Sequence, residues 1–427
     1  MTILFLFGAV LLLVFANIPI AIALGIVAFV AMIASQGSAI APNLPLVMYS
    51  GATSFPLIAI PLFVLAGAIM NASGISRRLI ALATSLFGWM RGALAQVSIV
   101  TSLFFAEISG SAVADIAALG SVLIPAMKSR GYSKEFAAAV LSSSATLAVI
   151  IPPSIPMILY AVMANTSIVK LFVSGVVPGV LGGLLMMGVA YYFARRYDFP
   201  VEQKFEGARV WAAFKEAGWA LMLPMIILGG IFGGVVTATE GAALAVFAAL
   251  LIGGVIYREL DWKVLRTSMI ECTVQTAVVM LLVAASALLG VYLTEIQAPQ
   301  KLAAGMLGLT ANKYLVLAML NVLFLILGLF LHSAAAIILV VPVVLPLVQA
   351  VGIDPIHFGL VVTINLGIGQ QTPPVASVLT VACSIARADI WAVTKVNIYF
   401  IACLLFVLLL CTYVPAVPMW LVHVFYG

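Results

Sequence analysis

The sequence predicts an all-α polytopic membrane protein made of two inverted-topology repeats. Each repeat carries a re-entrant helical hairpin and a broken transmembrane helix. Three observations predict this. First, 65% of the 427 residues are hydrophobic and 8% charged, with mean hydropathy +1.28, a balance outside the range of water-soluble domains. Second, apolar runs near 20 residues recur along the chain, which suits bilayer-crossing helices and not alternating barrel strands. Third, Phe104 to Pro156 and Gly328 to Ser377 share landmarks at one offset of 221. Pro125 falls on Pro346, Gly131 on Gly352, Ser144 on Asn365, and Pro152-Pro153 on Pro373-Pro374. Each copy holds an apolar run with a small polar tip, a loop, then an apolar run broken by Pro-Pro. Paired interrupted segments in two halves point to a binding site near the bilayer midplane.

The first repeat covers residues 1–194. Runs 2–16 and 18–35 meet at Asn17-Ile18-Pro19, where proline implies a turn or a kink. Run 44–75 carries Pro45, Pro56 and Pro61 and is bent or split. Arg77, Arg78 and Arg91 flank a short mixed helix at the membrane surface. The first hairpin spans about 93–127 and turns at Ser109-Gly110-Ser111. A broken helix follows at about 136–163, then an ordinary span at 171–194. Residues 195–218, with Arg195, Arg196, Lys204, Arg209 and Lys215, are the most polar stretch and read as a linker.

The second repeat, 219–427, begins with spans at 219–236 and 241–257 that meet at Thr237 to Glu240. A charged loop from Arg258 to Arg266 leads into a long helix ending near 297. The second hairpin covers about 314–350 and turns near His332-Ser333. Its broken helix covers about 356–384, and a last span covers 396–424.

Charge sets the orientation. With the N-terminus outside and each hairpin entering and leaving on one side, each half makes five crossings. Five is odd, so the second half is inverted and the C-terminus is also outside. Sixteen of the 19 Lys and Arg then lie inside, with only Lys170, Lys301 and Lys313 outside, as the cytoplasmic excess of basic residues requires. The first apolar run has no basic leader and is too long for a signal peptide, so it is expected to be retained. The net charge of +5 sits in loops between spans and is no sign of nucleic-acid binding.

The proline pairs carry the chemistry. Proline has no N–H, so Pro152 frees the carbonyl of Ala148 and Pro373 that of Gly369. Ile151 and Thr372, the residues before the prolines, are pushed toward extended geometry. Bare carbonyls cannot face lipid; they must meet protein, water or a cation. Two readings stand. The pairs are kinks satisfied by neighbouring helices, or they form two cation sites suited to Na⁺. The first site would use Ser109 and Ser111 with the carbonyls of Ala148, Ile151 and Pro153. The second would use Gly328, Gly369, Thr372 and Val375. An anionic substrate would meet half-helix N-termini, with hydrogen bonds from Ser143, Ser144, Ser154, Asn365, Gln370 and Gln371. Each of these serines also reads as a plain helix–helix contact.

Glu107, Asp115 and Glu240 are the acids placed deepest. Asp115 reads as a cap of the hairpin's returning helix and Glu240 as a cap of its own span. Glu107 either holds the hairpin or relays a proton. Cys272, Cys383, Cys403 and Cys411 lie in apolar runs without metal spacing, and His332 has no ligand partner at helical spacing. No HExxH motif and no acid pair at catalytic spacing points to an enzyme. A channel suits paired hairpins less well than alternating access does.

At ISGSAVAD, IPAMKSRGYS, IPPSIP, GIDPIHFG and TPPV, and at PLFVLAGAIMNASGIS near Pro61, the sequence resembles the large membrane subunit of tripartite ATP-independent periplasmic (TRAP) transporters. It departs from many members in having Ala112 where they have Ser. Its GQQTPPVAS stretch is similar to the sialic-acid group. The resemblance covers nearly the whole chain. It implies an elevator-type protein of the ion-transporter superfamily in a bacterial inner membrane. It implies sodium-coupled uptake of an organic acid, sialic acid or a dicarboxylate, with Na⁺ as coupling ion and no organic cofactor. The implied partners are a small four-helix membrane subunit (Q-type) and a periplasmic substrate-binding protein (P-type). The family's ion positions map onto Ser109, Ser111, Ala148, Ile151, Pro153, Gly328, Gly369, Thr372 and Val375. A stand-alone sodium/organic-anion symporter is the other transport reading.

Overall fold

Helix begins at once and is interrupted wherever proline or a small polar cluster falls. In the computed structural model, residues 2–427 are described, except for the side chains of residues 2–4, 107–109 and 309. Helices α1 (Thr2–Phe15) and α2 (Ile20–Gln36) meet at Asn17, which takes a positive φ of 66°. The proline-rich third run is split into α3 (Leu44–Ala52) and α4 (Ala59–Ala72), with a tight turn at Phe55–Ile58 between them. Helix α5 (Ile75–Phe87) buries Ile75, Leu79 and Leu82 along one face.

Helices α6 (Ala93–Ser109) and α7 (Ala112–Ser129) form the first hairpin, and α7 runs on through Pro125. The first broken helix has three pieces, α8 (Lys134–Ala145), α9 (Leu147–Ile150) and α10 (Ile155–Met163). Helix α11 (Ile168–Arg196) follows. The predicted linker is half helix, because α12 (Gly207–Phe232) takes up its polar second part as exposed first turns. Helix α13 (Ala238–Leu250) starts with a capping box. The Thr237 hydroxyl accepts from the Glu240 amide, and the Glu240 carboxylate accepts from Thr237 at 2.8 Å, so Glu240 caps its span.

Asp261 caps α14 (Trp262–Glu295), so this helix begins inside the loop predicted to run to Arg266. A short helix not foreseen from sequence, α15 (Ala298–Leu309), precedes the second hairpin of α16 (Lys313–Phe330) and α17 (Ser333–Ala350). The second broken helix is α18 (Pro355–Gly369) and α19 (Ser377–Ala386). The predicted last span is two helices, α20 (Ile390–Tyr413) and α21 (Ala416–Tyr426). Pro415 lacks the N–H that would carry α20 onward.

The two halves keep one register. Ala112 and Ser333 start the returning hairpin arms, and Lys134 and Pro355 start the broken helices, each pair 221 residues apart. Among the described residues, ten helices are long and apolar enough to cross a membrane. Two packing groups form. Helix α14 lies against α2, α3 and α4, with α13 on α4 and α12 on α5. The hairpins pack with the broken helices, α11 and α20. The first broken helix is buried along most of its apolar length, whereas α14 is buried along about half of its own. The broken helices are thus interior, where irregular backbone is tolerated in a membrane protein.

Candidate functional site

At the first break, Ile151 is extended (φ −84°, ψ 134°), as the proline after it requires. The Pro152–Pro153 bond is cis, as is Pro373–Pro374. The break satisfies part of its own backbone. The Ile151 amide donates to the Leu147 carbonyl at 2.8 Å, and the Ser154 hydroxyl to the Val149 carbonyl at 2.7 Å. Ser154 also caps α10 by accepting from the Met157 amide. Its hydroxyl is thereby committed to the backbone, which moves Ser154 from candidate substrate ligand to support of the break. Among the described residues, no loop or side-chain hydrogen bond engages the carbonyls of Ala148, Ile151 or Pro153.

The first hairpin tip closes on this break. Gly110 has φ +58°, and a Cβ built on it would lie 2.7 Å from the Pro153 carbonyl oxygen and 3.2 Å from the Ile155 amide. Only glycine combines this left-handed turn with that approach. Ser111 caps α7 by accepting from the Ala114 amide. Asp115 lies in the first turn of the same helix and is fully buried. The side chains of Ser109 and Glu107 lie outside the described residues.

The second hairpin meets the second break in the same way. A Cβ on Gly328 would stand 3.0 Å from the Gly369 Cα, and one on Gly369 would fall on the Gly328 backbone. The Gln370 side chain donates to the Ser333 hydroxyl at the tip. The carbonyls here are less bare than proline geometry alone implies. That of Gly369 accepts from the Thr372 amide at 3.0 Å, and that of Val375 from the Thr380 hydroxyl at 3.0 Å. Each still has a second lone pair. The Thr372 hydroxyl donates to Ile368 at 3.0 Å and keeps its own lone pairs. Residues 151–155 are all buried, whereas Pro374 and Val375 are exposed.

A polar junction joins the breaks. The Ser143 hydroxyl lies 2.8 Å from the Gln371 Oε1 and also contacts the Asn397 Oδ1. Ser144 accepts from Ser102 at 3.0 Å, and the Asn365 amide donates to Asn321 at 2.8 Å, whose own amide donates to Thr412 at 3.0 Å. Gln371 Nε2 and Asn365 Oδ1 are buried without a protein partner among the described residues. Ser102, Asn321, Asn397 and Thr412 are missed by reasoning from motifs. A search for polar residues inside apolar helices, such as Asn321 in α16, finds them.

A family model described as the tripartite ATP-independent periplasmic transporter, DctM component, matches residues 7–417. The isethionate TRAP transporter permease protein DctMQ of Oleidesulfovibrio alaskensis is 43% identical over 416 residues, which are 97% of this chain and 65% of that longer one. The C4-dicarboxylate TRAP transporter large permease protein DctM of Vibrio cholerae is 35% identical, covering 99% of this chain and 97% of its own. Among solved structures, the Alcanivorax borkumensis YdaH transporter superposes with a TM-score of 0.63 over 92% of this chain and 90% of that one. At 15% identity the likeness is one of fold.

Proposed function

This chain belongs to the DctM component family of the tripartite ATP-independent periplasmic transporters, and we propose on that basis that it performs sodium-coupled uptake of a small organic anion. One observation carries the proposal: each hairpin tip stands against the proline break of its own repeat, at Gly110 with Pro153 and at Gly328 with Gly369. Sodium ions are the coupled cargo. The first takes the carbonyls of Ala148, Ile151 and Pro153 with Ser111 and Ser109. The second takes Gly328, Gly369, Thr372 and Val375. Carbonyl and hydroxyl oxygens that lipid cannot solvate suit a hard cation.

The anion sits between the tips. The N-termini of α7, α10, α17 and α19 supply partial positive charge there, and the unpartnered Nε2 of Gln371 supplies a directional donor. No fixed cation is needed, so the site releases its anion once sodium leaves. The relatives' names give isethionate and C4-dicarboxylates; the shared chemistry is a compact acid, with sialic acid a larger alternative favoured by GQQTPPVAS.

The hairpins and broken helices move together across a fixed group built on α14, which is the elevator mechanism. The partners are a periplasmic binding protein and a small membrane subunit. The relative named DctMQ supports the latter, since this chain spans 65% of it. The basic end of the molecule faces the cytoplasm. Residues assigned there join one another: Arg91 with Asp198 at 2.8 Å, Arg130 with Glu202 at 3.1 Å, and Lys128 with the Ala386 carbonyl at 3.1 Å.

The test is uptake of isethionate, succinate and N-acetylneuraminate into proteoliposomes that hold the chain and its partner subunits, with binding protein outside. Accumulation is expected for at least one acid, and only under an inward sodium gradient. Thr372→Ala should weaken the apparent sodium affinity about tenfold, the loss of roughly 1.4 kcal/mol. Uptake indifferent to the gradient removes sodium coupling; uptake without binding protein selects the stand-alone symporter.

A further inference from the structure

A half-open cavity of about 650 Å³ lies between α4, the first hairpin's α7 and the near half of α14. Its α7 wall is Ala114, Ala117 and Ala118, just past the hairpin tip. Its α14 wall is polar: Lys263, Thr267, Glu271 and Gln275 recur at helical spacing, and all four are exposed. Polar side chains on one stripe of an apolar helix face a water-filled space and not lipid. At 1.5 Å per residue, Glu271 lies about 12 Å deeper than Lys263, and Gln275 about 18 Å deeper. Glu271 makes no ion pair among the described residues. At the far half of α14, Ser286, Gly290 and Leu293 meet α17 across only about 30 Å³. The hairpin arms therefore differ: the first stands off α14, and the second is packed on it.

We infer that this cavity is a cytoplasm-facing aqueous vestibule, open at Lys263 and ending at the first hairpin tip, in which the Glu271 carboxylate lowers the affinity of the inward-open site for an anion. The inference rests on the organic-anion reading above. A fixed negative charge beside the exit raises the energy of a bound carboxylate or sulfonate only while the tip lies at this level of α14. It favours release to the cytoplasm and opposes return. Lys263, at the mouth, offers the departing anion its first opposite charge.

A substrate-free measurement tests this. Gln275→Cys is made in the full chain and modified in inside-out vesicles with impermeant methanethiosulfonates, one bearing a trimethylammonium group and one a sulfonate. Labelling is counted above that of the parent, whose four cysteines include Cys272 beside the cavity wall. Modification from the cytoplasmic face is expected, with the cationic reagent favoured. Glu271→Gln should lower the cation-to-anion rate ratio about three- to tenfold, the effect of one charge several ångströms away in a wet cavity, while Glu271→Asp keeps it. High salt should shrink the ratio in the protein that retains Glu271, a readout that needs no Glu271 variant to fold. Absent modification, or a ratio indifferent to both charge removal and salt, overturns the inference. Modification requires no transport, so loss of sodium-coupled uptake with an intact ratio overturns the transport reading alone.

Discussion

Ser143 is a hydroxyl with two side-chain partners, Gln371 and Asn397, each more than 200 residues away. Removing it leaves buried amide groups with fewer partners. Single hydrogen bonds inside membrane proteins average about 0.6 kcal/mol because the helices find other partners. An amide left unsatisfied costs about 1–3 kcal/mol. Asn397 Nδ2 lies 3.4 Å from Gln371 Oε1 and can tighten on it, so the smaller figure governs. Ser143→Ala is expected to destabilise by about 1 kcal/mol, read as a modest drop in the thermal unfolding midpoint of the detergent-solubilised protein. A drop of several kcal/mol would mean that the junction does not re-form.

Among the helices, the breaks are local events and their neighbours are not. Pro152 and Pro373 end α9 and α18 by removing a donor, and Ser154 and Asp354 start α10 and α18 by capping them. The same logic splits the last span at Pro415. The hairpin tip is the sensitive point. Gly110→Ala forces a side chain into a left-handed conformation and against the Pro153 carbonyl. Backbone cannot yield as a side-chain end can, and the strain alone costs about 1–2 kcal/mol. The variant should fold with the tip displaced from the break, losing tenfold or more in apparent sodium affinity in the proteoliposome assay. Unaltered sodium dependence would separate the tip from the ion site.

For the molecule as a whole, the basic end is held together by long-range pairs. Glu259, just before α14, accepts from Arg78 at 2.8 Å and Arg77 at 2.9 Å, tying α5 to the α14 group. Arg78 also stacks 3.7 Å from the Tyr257 ring centre. The Arg78 hydrogen bond holds the Glu259 carboxyl below its usual range. A group with a lowered folded pKa stabilises fully above its unfolded value, near 4.3, and loses that contribution as pH falls through the folded value. The unfolding midpoint should therefore be flat in this component above about pH 5 and decline below it. Glu259→Gln should remove that part of the decline and cost at most about 1 kcal/mol at neutral pH, since the pair is partly exposed. An identical acid limb in the variant would show that other carboxylates set it.

The chain itself determined its solvent, its repeat and its breaks. Apolar run length, the offset of 221 and the missing proline donors act within a few residues, so periodicity and spacing carry them. The pairing of tip with break at Gly110 and Gly328 follows from the repeat in outline. Folding alone decided which polar groups meet. Asn397, Asn321 and Thr412 join Gln371 and Asn365 because helices distant in the chain return to one level. Glu271 lines a cavity because α7 stands off α14 on that side. Such partners are set by packing between remote helices, and nothing in the local sequence around either residue specifies the other.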